Sequence, residues 1–208
     1  MWVIGCTFEI YKEIMIITDA LLMKYLPVEI DNFVVGLSGG ADSLCLTLLL
    51  NNYAKLRNYK LFACIVDHKL RPESSVEIIP SIDILNKYKI EYKIVTWNHD
   101  LIMGNVESKA RTARYELLYK YCQEVHSNCL CTAHHALDQW ETFFMRLSKG
   151  SGLKGLASIQ MIAQIRNIYL LRPLLNFTPR DIKETLEYRF NITEYVHDPM
   201  NDNIKFER

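Results

Sequence analysis

Phe33-Val34-Val35-Gly36-Leu37-Ser38-Gly39-Gly40-Ala41-Asp42-Ser43-Leu44-Cys45-Leu46-Thr47-Leu48-Leu49-Leu50 is the stretch on which the reading of this chain turns. A short apolar run rich in Val and Phe leads into a polar hexapeptide with adjacent glycines, and that leads into an apolar helical segment. Paired glycines let backbone N–H groups approach a ligand with no Cβ in the way. Ser38 and Ser43 add hydroxyls, and a helix opening near Ser43 presents unpaired N–H groups and a positive dipole end. This is the composition of a phosphate cradle. It lacks the lysine of the G-x4-G-K-S/T loop and does not meet the G-x-G-x-x-G pattern. Asp42 beside a polyphosphate makes sense if it holds a divalent cation. The plainer alternative is a tight strand-to-helix turn capped by serine.

Outward from this segment, the chain alternates. Strands are expected at Phe33–Leu37, Leu61–Val66, Tyr92–Val95, Asn128–Thr132 and Ile168–Leu171, with helical periodicity at Ser43–Leu56, Val76–Lys89, Glu107–Glu124 and Asp138–Leu147. That order predicts an α/β fold, a parallel five-stranded sheet with helices on both faces. Such sheets bind ligands at the carboxyl ends of their strands. Residues 1–32 carry no motif; Ile14, Ile17, Leu21 and Tyr25 at helical spacing suggest a packing helix.

Composition narrows the class. The 208 residues fit one domain, at ~150 per domain, with a small appendage. Lys and Arg number 24 and Asp and Glu 24, so bulk charge advertises no polyanion partner. Charge is nevertheless uneven: from Phe143 to Arg180 there are six basic residues and no acidic one, which suits an anion-facing surface or a solvated helical face. The six cysteines form no C-x-x-C pair and sit mostly in apolar runs, as reduced core residues of a cytoplasmic protein do. No apolar run approaches the ~18 residues of a membrane span, and the N-terminus lacks a signal-peptide layout.

Further blocks follow the strands. The second strand ends Val66-Asp67-His68-Lys69-Leu70-Arg71-Pro72, and the helix after the third carries Glu107, Arg111, Arg114 and Tyr115. The spacing of Glu107, Arg111 and Arg114 puts all three on one helix face, as a surface ion-pair set or as a grip on phosphate. The fourth strand ends Thr132-Ala133-His134-His135-Ala136-Leu137-Asp138-Gln139-Trp140-Glu141-Thr142. Asp138 and Glu141 lie one turn apart, suited to Mg²⁺ or to accepting a proton, or simply to the helix dipole. His134 is expected to fill the last strand turn and His135 to make a polar contact. Asp67 and His68 suit adenosine contacts or a buried hydrogen-bonded pair. The Gly150–Gly155 loop with Lys149 and Lys154 suits an RNA backbone or a flexible connection. Arg172-Pro173-Leu174-Leu175 and Asp198-Pro199-Met200-Asn201 complete the set.

Ser38-Gly39-Gly40-Ala41-Asp42-Ser43 resembles the signature of the PP-loop ATP pyrophosphatases, which split ATP into AMP and pyrophosphate to activate an oxygen. With the later blocks in this order, the chain resembles the tRNA(Ile)-lysidine synthetase family from about residue 33 to its end. The resemblance implies an adenine nucleotide alpha hydrolase-like fold, with residues 1–32 as an N-terminal extension and 33–208 as the catalytic domain. It implies that ATP with Mg²⁺ adenylates the C2 oxygen of the wobble cytidine in tRNA(Ile) bearing a CAU anticodon, and that the amine of free L-lysine displaces AMP. ATP contacts are then expected from Ser38, Gly39, Gly40, Ala41, Asp42, Ser43, Asp67 and His68. Metal is expected on Asp42 and Asp138, and catalysis from Asp42, Arg111, Arg114, Asp138 and Glu141. Substrate or RNA contacts are expected from His135, Lys149, Lys154 and Arg208. Leu137 and Met200 stand where the family has an acidic residue and a serine, and the family's C-terminal tRNA-binding domains are expected to be absent. A homodimer is an open expectation. Two other readings stay on the table: a thiolating tRNA-modifying relative, and a truncated, non-catalytic nucleotide-binding remnant.

Overall fold

A computed structural model describes residues 15–24, 26, 30, 32–69, 78–99, 104–150 and 159–196. Six strands form one sheet: β1 (Asn32–Leu37), β2 (Lys60–Asp67), β3 (Glu91–Thr96), β4 (Cys129–Cys131), β5 (Ile162–Ile165) and β6 (Ile168–Leu171). The helices are α1 (Asp19–Met23), α2 (Ala41–Arg57), α3 (Ile79–Lys87), α4 (Val106–Glu124), α5 (Ala136–Ser148) and α6 (Pro179–Phe190). The spatial order is β3-β2-β1-β4-β6-β5, parallel throughout except for the β5–β6 pair.

β1 and β2 are apolar along nearly their whole length because both faces are covered. On one face α2 and α6 pack with α1 and α3 over Phe33, Val35, Leu37 and Ile65, and Phe33, Tyr53 and Tyr59 form an aromatic trio with centroids 5.9–6.2 Å apart. On the other face α4 packs Leu118, Tyr121 and Cys122 against Val34, Phe62 and Cys64. Helices on both faces are thus as expected. Ile17, Leu22, Leu26 and Ile30 enter the first cluster, and the Arg189 guanidinium ties that segment down through Ile17 O at 2.8 Å and the Asp19 carboxylate at 2.9 Å. Ile14, Tyr25 and the start of the Val76–Lys89 helix lie outside the described residues.

The strand count differs from the five expected. β5 is an added antiparallel edge strand, four residues long, interrupted by Gln164 and largely exposed, so its apolar pattern is too short to register. Its link to β6 is Arg166-Asn167, and it is Arg166 rather than the asparagine that takes the left-handed backbone, at φ +55°. That left-handed residue costs ~1–2 kcal/mol. Its guanidinium is held 4.4 Å over the Tyr119 ring and on the Glu116 carboxylate. α6 is also additional. It opens on Thr178 with Pro179 at its first turn, and Asp181 accepts from the Thr178 N–H and hydroxyl in a capping box.

The five described cysteines are buried and free of disulfides, and burial pushes the Cys64 and Cys122 thiols up to about 12. Among the described residues no helix is long and apolar enough to cross a membrane.

Candidate nucleotide-binding and catalytic site

Strand order reverses at β1. The chain moves outward to β2 and β3, then returns to β4 on the other side, so a crevice opens beyond the carboxyl ends of β1 and β4. Ser38–Ser43 leave β1 there. Gly39 sits at φ +89°, and an added Cβ would lie 2.8 Å from Ser81 Oγ and 2.9 Å from Val196 Cγ2, so only glycine fits. Gly40 caps α2 without a side chain, leaving the helix N-terminus open to an anion. The buried Ser43 hydroxyl donates to Gly40 O at 3.0 Å and accepts from the Ser38 N–H at 3.2 Å. Since its proton is committed, Ser38 Oγ donates to it at 3.1 Å. Ser43 therefore braces the loop, and Ser38 is the exposed hydroxyl.

α5 begins beside this loop. Its cap residue is His135, whose backbone N–H donates to Asp138 Oδ2 at 2.7 Å. The His135 ring stands between two carboxylates, with Nδ1 3.2 Å from Asp138 Oδ2 and Nε2 3.7 Å from Asp42 Oδ2. Burial raises the Asp42 carboxyl above its ordinary range, His135 pulls it back and the Asp138 charge pushes it further up. The two carboxylates offer hard oxygen donors on this edge of the crevice, with the His135 ring standing between them. Among the described residues no group of three His, Cys, Asp or Glu is arranged to hold a metal alone. Mg²⁺ needs no such cage, because it commonly takes one or two carboxylates and completes its shell with phosphate and water.

Cationic groups line the crevice. Arg111 and Arg114 of α4 lie 5.6 and 5.8 Å from the Tyr115 ring centroid. Burial holds the Arg114 guanidinium below its ordinary value, and does the same to Arg172 at the end of β6. Arg172 Nη1 donates to Gln160 O at 2.6 Å. These arginines surround His134, whose Nδ1 is 3.0 Å from Thr132 Oγ1. Burial first, then Arg172, Arg111 and Arg114, push His134 down to about 4 against the pull of Asp138, so the ring is neutral at pH 7. Sequence reasoning quoted Arg172 only as part of a block. Its signal was its place directly after a strand, on the ligand-bearing edge.

At the ends of β2 and β3, Asp67 is buried and its Oδ1 accepts the Lys69 N–H at 3.0 Å. Burial and the Arg114 charge lower His68, whose ring meets Trp97 edge-on at 6.0 Å. Trp97 and His99, 4.3 Å apart, extend this wall and were not anticipated. Glu141 is exposed one turn beyond Asp138. Lys149 is exposed at the far end of α5, about 20 Å of helix from His135 at ~1.5 Å per residue, and so is not brought together with the cradle. The Glu107 side chain, Arg71, Lys154, Asp198–Asn201 and Arg208 lie outside the described residues.

A family model described as the PP-loop domain matches residues 14–208. Among curated proteins, the chain is 40% identical over 174 residues to tRNA(Ile)-lysidine synthase of Orientia tsutsugamushi, covering 84% of this chain and 39% of that one. It is 37% identical over 178 residues to tRNA(Ile)-lysidine synthase of Zymomonas mobilis, covering 84% and 52%. The chain therefore spans two-fifths to one-half of the length of these relatives. Among solved structures it resembles a U34-tRNA thiolase from Methanococcus maripaludis (TM-score 0.72, 22% identity, 87% of this chain and 65% of that one). It also resembles a glutamine-dependent NAD⁺ synthetase from Acinetobacter baumannii (TM-score 0.54, 14% identity, 87% and 34%). Both likenesses concern the fold. The strand order, the glycine-built loop after β1 and the match across 14–208 agree, and the chain belongs to the PP-loop domain family.

Proposed function

We propose that this chain carries the ATP-dependent ligation of lysine to the wobble cytidine of tRNA(Ile) bearing a CAU anticodon, through an adenylated cytidine. The observation that carries the reading is the meeting of two helix N-termini: the open end of α2 and the His135–Asp138 end of α5, joined where His135 faces Asp42 at 3.7 Å. The names of the relatives supply the substrate.

In this reading the Ser38–Ser43 backbone and the Ser38 hydroxyl bind ATP phosphate, while Asp67 and His68 border the adenosine. Asp42 and Asp138 would hold Mg²⁺, which when bound neutralises phosphate charge. The cytidine O2 attacks the α-phosphorus as the bond to pyrophosphate breaks. Arg111, Arg114 and Arg172 stabilise the developing charge on phosphate. The lysine amine then attacks C2, O2 departs with AMP, and the amine proton leaves to Glu141 or to water. His134 is neutral, so it adds a hydrogen-bonding group without a fourth positive charge. The described cysteines are buried, which counts against a sulfur-carrying thiolase mechanism. The reaction is assigned to a reducing cytoplasm.

The test incubates the purified chain with tRNA(Ile) transcript, ATP and labelled lysine, and in parallel with a sulfur donor. Label from lysine that depends on Asp42 is the expected result. Label from sulfur alone refutes the ligase reading, and ATP binding without either product favours a non-catalytic remnant.

A further inference from the structure

The edge of the sheet opposite the crevice holds a cavity of about 530 Å³, the size of a small-molecule site. It lies at the amino ends of β2 and β3, roughly 23 Å along β2 from the crevice at ~3.3 Å per residue. Asn51, Lys55, Lys60 and Lys89 line it together with one carboxylate, Glu91, and Tyr59 and Val125 add half-buried apolar walls. Two helices hand over to strands here through left-handed residues, Asn58 at φ 58° after α2 and Lys89 at φ 56° after α3. Both turns close alike, with the Tyr59 N–H on Ala54 O at 2.8 Å and the Ile90 N–H on Leu85 O at 2.9 Å. Asparagine suits that backbone and lysine does not. Asn51 is the second anomaly. It is only 5% exposed, and its Nδ2 has no hydrogen-bond partner, whereas buried polar groups nearly always have one. The helix dipole accounts for Lys55, whose Nζ lies 3.5 Å from Tyr88 O at the end of α3. It does not account for Lys60, which opens a strand, and among the described residues neither Lys60 nor Lys89 is paired with a carboxylate.

We propose that this cavity binds a small organic phosphate, a phosphate monoester on a flat apolar body, at a site separate from the catalytic crevice. Three ammonium groups against the Glu91 carboxylate leave two positive charges, which match the near-dianion of a phosphate monoester at pH 7. Lysines meet a tetrahedral phosphate as point charges, whereas a planar carboxylate is better matched by an arginine fork. A phosphate oxygen or a polar group of the ligand supplies the acceptor that Asn51 Nδ2 lacks, and the apolar body lies against Tyr59. A triphosphate exceeds the charge balance, which separates this site from the loop at Ser38–Ser43. The strained backbone at Lys89 has a use in this reading, since it sets the lysine stem on the cavity rim at a cost in stability that glycine would not incur.

The test titrates the chain with phenyl phosphate while ATP and Mg²⁺ saturate the crevice, following backbone amides by NMR. The amides of Tyr59, Lys60 and Lys89 should shift saturably, and phenol and benzoate should each bind at least ~10-fold more weakly. Lys89→Gly should lose ~10-fold in phenyl phosphate affinity and yet melt ~2–4 °C above the parent. A lysine with only a structural role would not show that pairing. Lys89→Arg should keep the affinity without gaining stability, and Lys60→Ala should lose affinity with the melting point little changed. Asn51→Leu should also weaken binding; if it misfolds, the surface lysine variants decide. ATP affinity should hold in every folded variant. Four results overturn the proposal: no saturable shift up to ~10 mM, shifts confined to Ser38–Ser43, benzoate binding as tightly as phenyl phosphate, or Lys89→Gly binding like the parent.

Discussion

Replacing Gly39 by alanine separates what the cradle needs from what its ligand needs. The backbone at φ +89° disfavours any Cβ, at ~1–2 kcal/mol. The new methyl would also lie 2.8 Å from Ser81 Oγ and 2.9 Å from Val196 Cγ2. Overpacking of this kind costs roughly 1–3 kcal/mol more. Relief by moving Val196 is opposed by its N–H, which donates to Gly39 O at 3.2 Å. A total of ~2–5 kcal/mol corresponds to a melting point lower by roughly 5–15 °C in a chain of this size. Gly40→Ala is the control: its φ is −69° and the nearest atoms to a new Cβ are 3.9 Å away. That variant should melt within ~3 °C of the parent yet bind ATP more weakly, because its methyl stands over the open end of α2. Thermal unfolding by circular dichroism and ATP titration calorimetry read the two effects. Gly39→Ala melting within ~2 °C of the parent, or equal losses in both variants, would refute the geometric argument.

Asp42→Asn should lower the rate of tRNA-dependent AMP release by ~10²–10³ with the melting point little changed; near-normal turnover in the folded variant removes Asp42 from the site. Asp138→Ala should lose activity and also a helix cap worth ~1 kcal/mol, so its melting point should fall by a few degrees where that of Asp42→Asn does not. Stability should decline as pH falls from 6.5 to about 4, because His134 binds its proton in the unfolded chain first; a depressed folded value means stabilisation present above 6.5 and lost on the way down. The full shift is worth roughly 3 kcal/mol, and urea unfolding of His134→Gln against the parent at pH 7 and 4.5 should show that share of the pH dependence gone. Lys149→Ala with Lys154→Ala should weaken tRNA binding and reduce its salt slope by up to ~2 while ATP affinity holds; an unchanged slope excludes both lysines from phosphate contact.

Much of this was legible because the decisive residues act locally. Gly39 and Gly40 encode a backbone shape, and the near-continuous apolar runs of β1 and β2 encode burial on both faces, so the loop and its strand could be placed without tertiary knowledge. What escaped depends on distant partners. Nothing local marks Arg166 as a turn residue, since its left-handed backbone is held by Glu116 and Tyr119 some fifty residues away. That the Ser43 hydroxyl donates to Gly40 O and braces the loop was not visible in the sequence either. Arg172 and Trp97 join the crevice only because β6 and β3 end on the same edge as β1. Leu137, which stands where the family has an acidic residue, is half exposed on α5.

The joining of Asp42 to His135 also has a kinetic meaning. The two residues are more than ninety apart in sequence, and β1 must pair with β2, β2 with β3, and β4 return beside β1 before they meet. Contacts of such separation form late and set the folding rate of parallel sheets. A chain emerging from the ribosome therefore carries the glycine hexapeptide long before Val196 N–H closes on Gly39 O and His135 meets Asp42. ATP, recognising only the completed arrangement, would bind none of the early intermediates and would stabilise the last one, drawing the final docking of β4 forward by mass action.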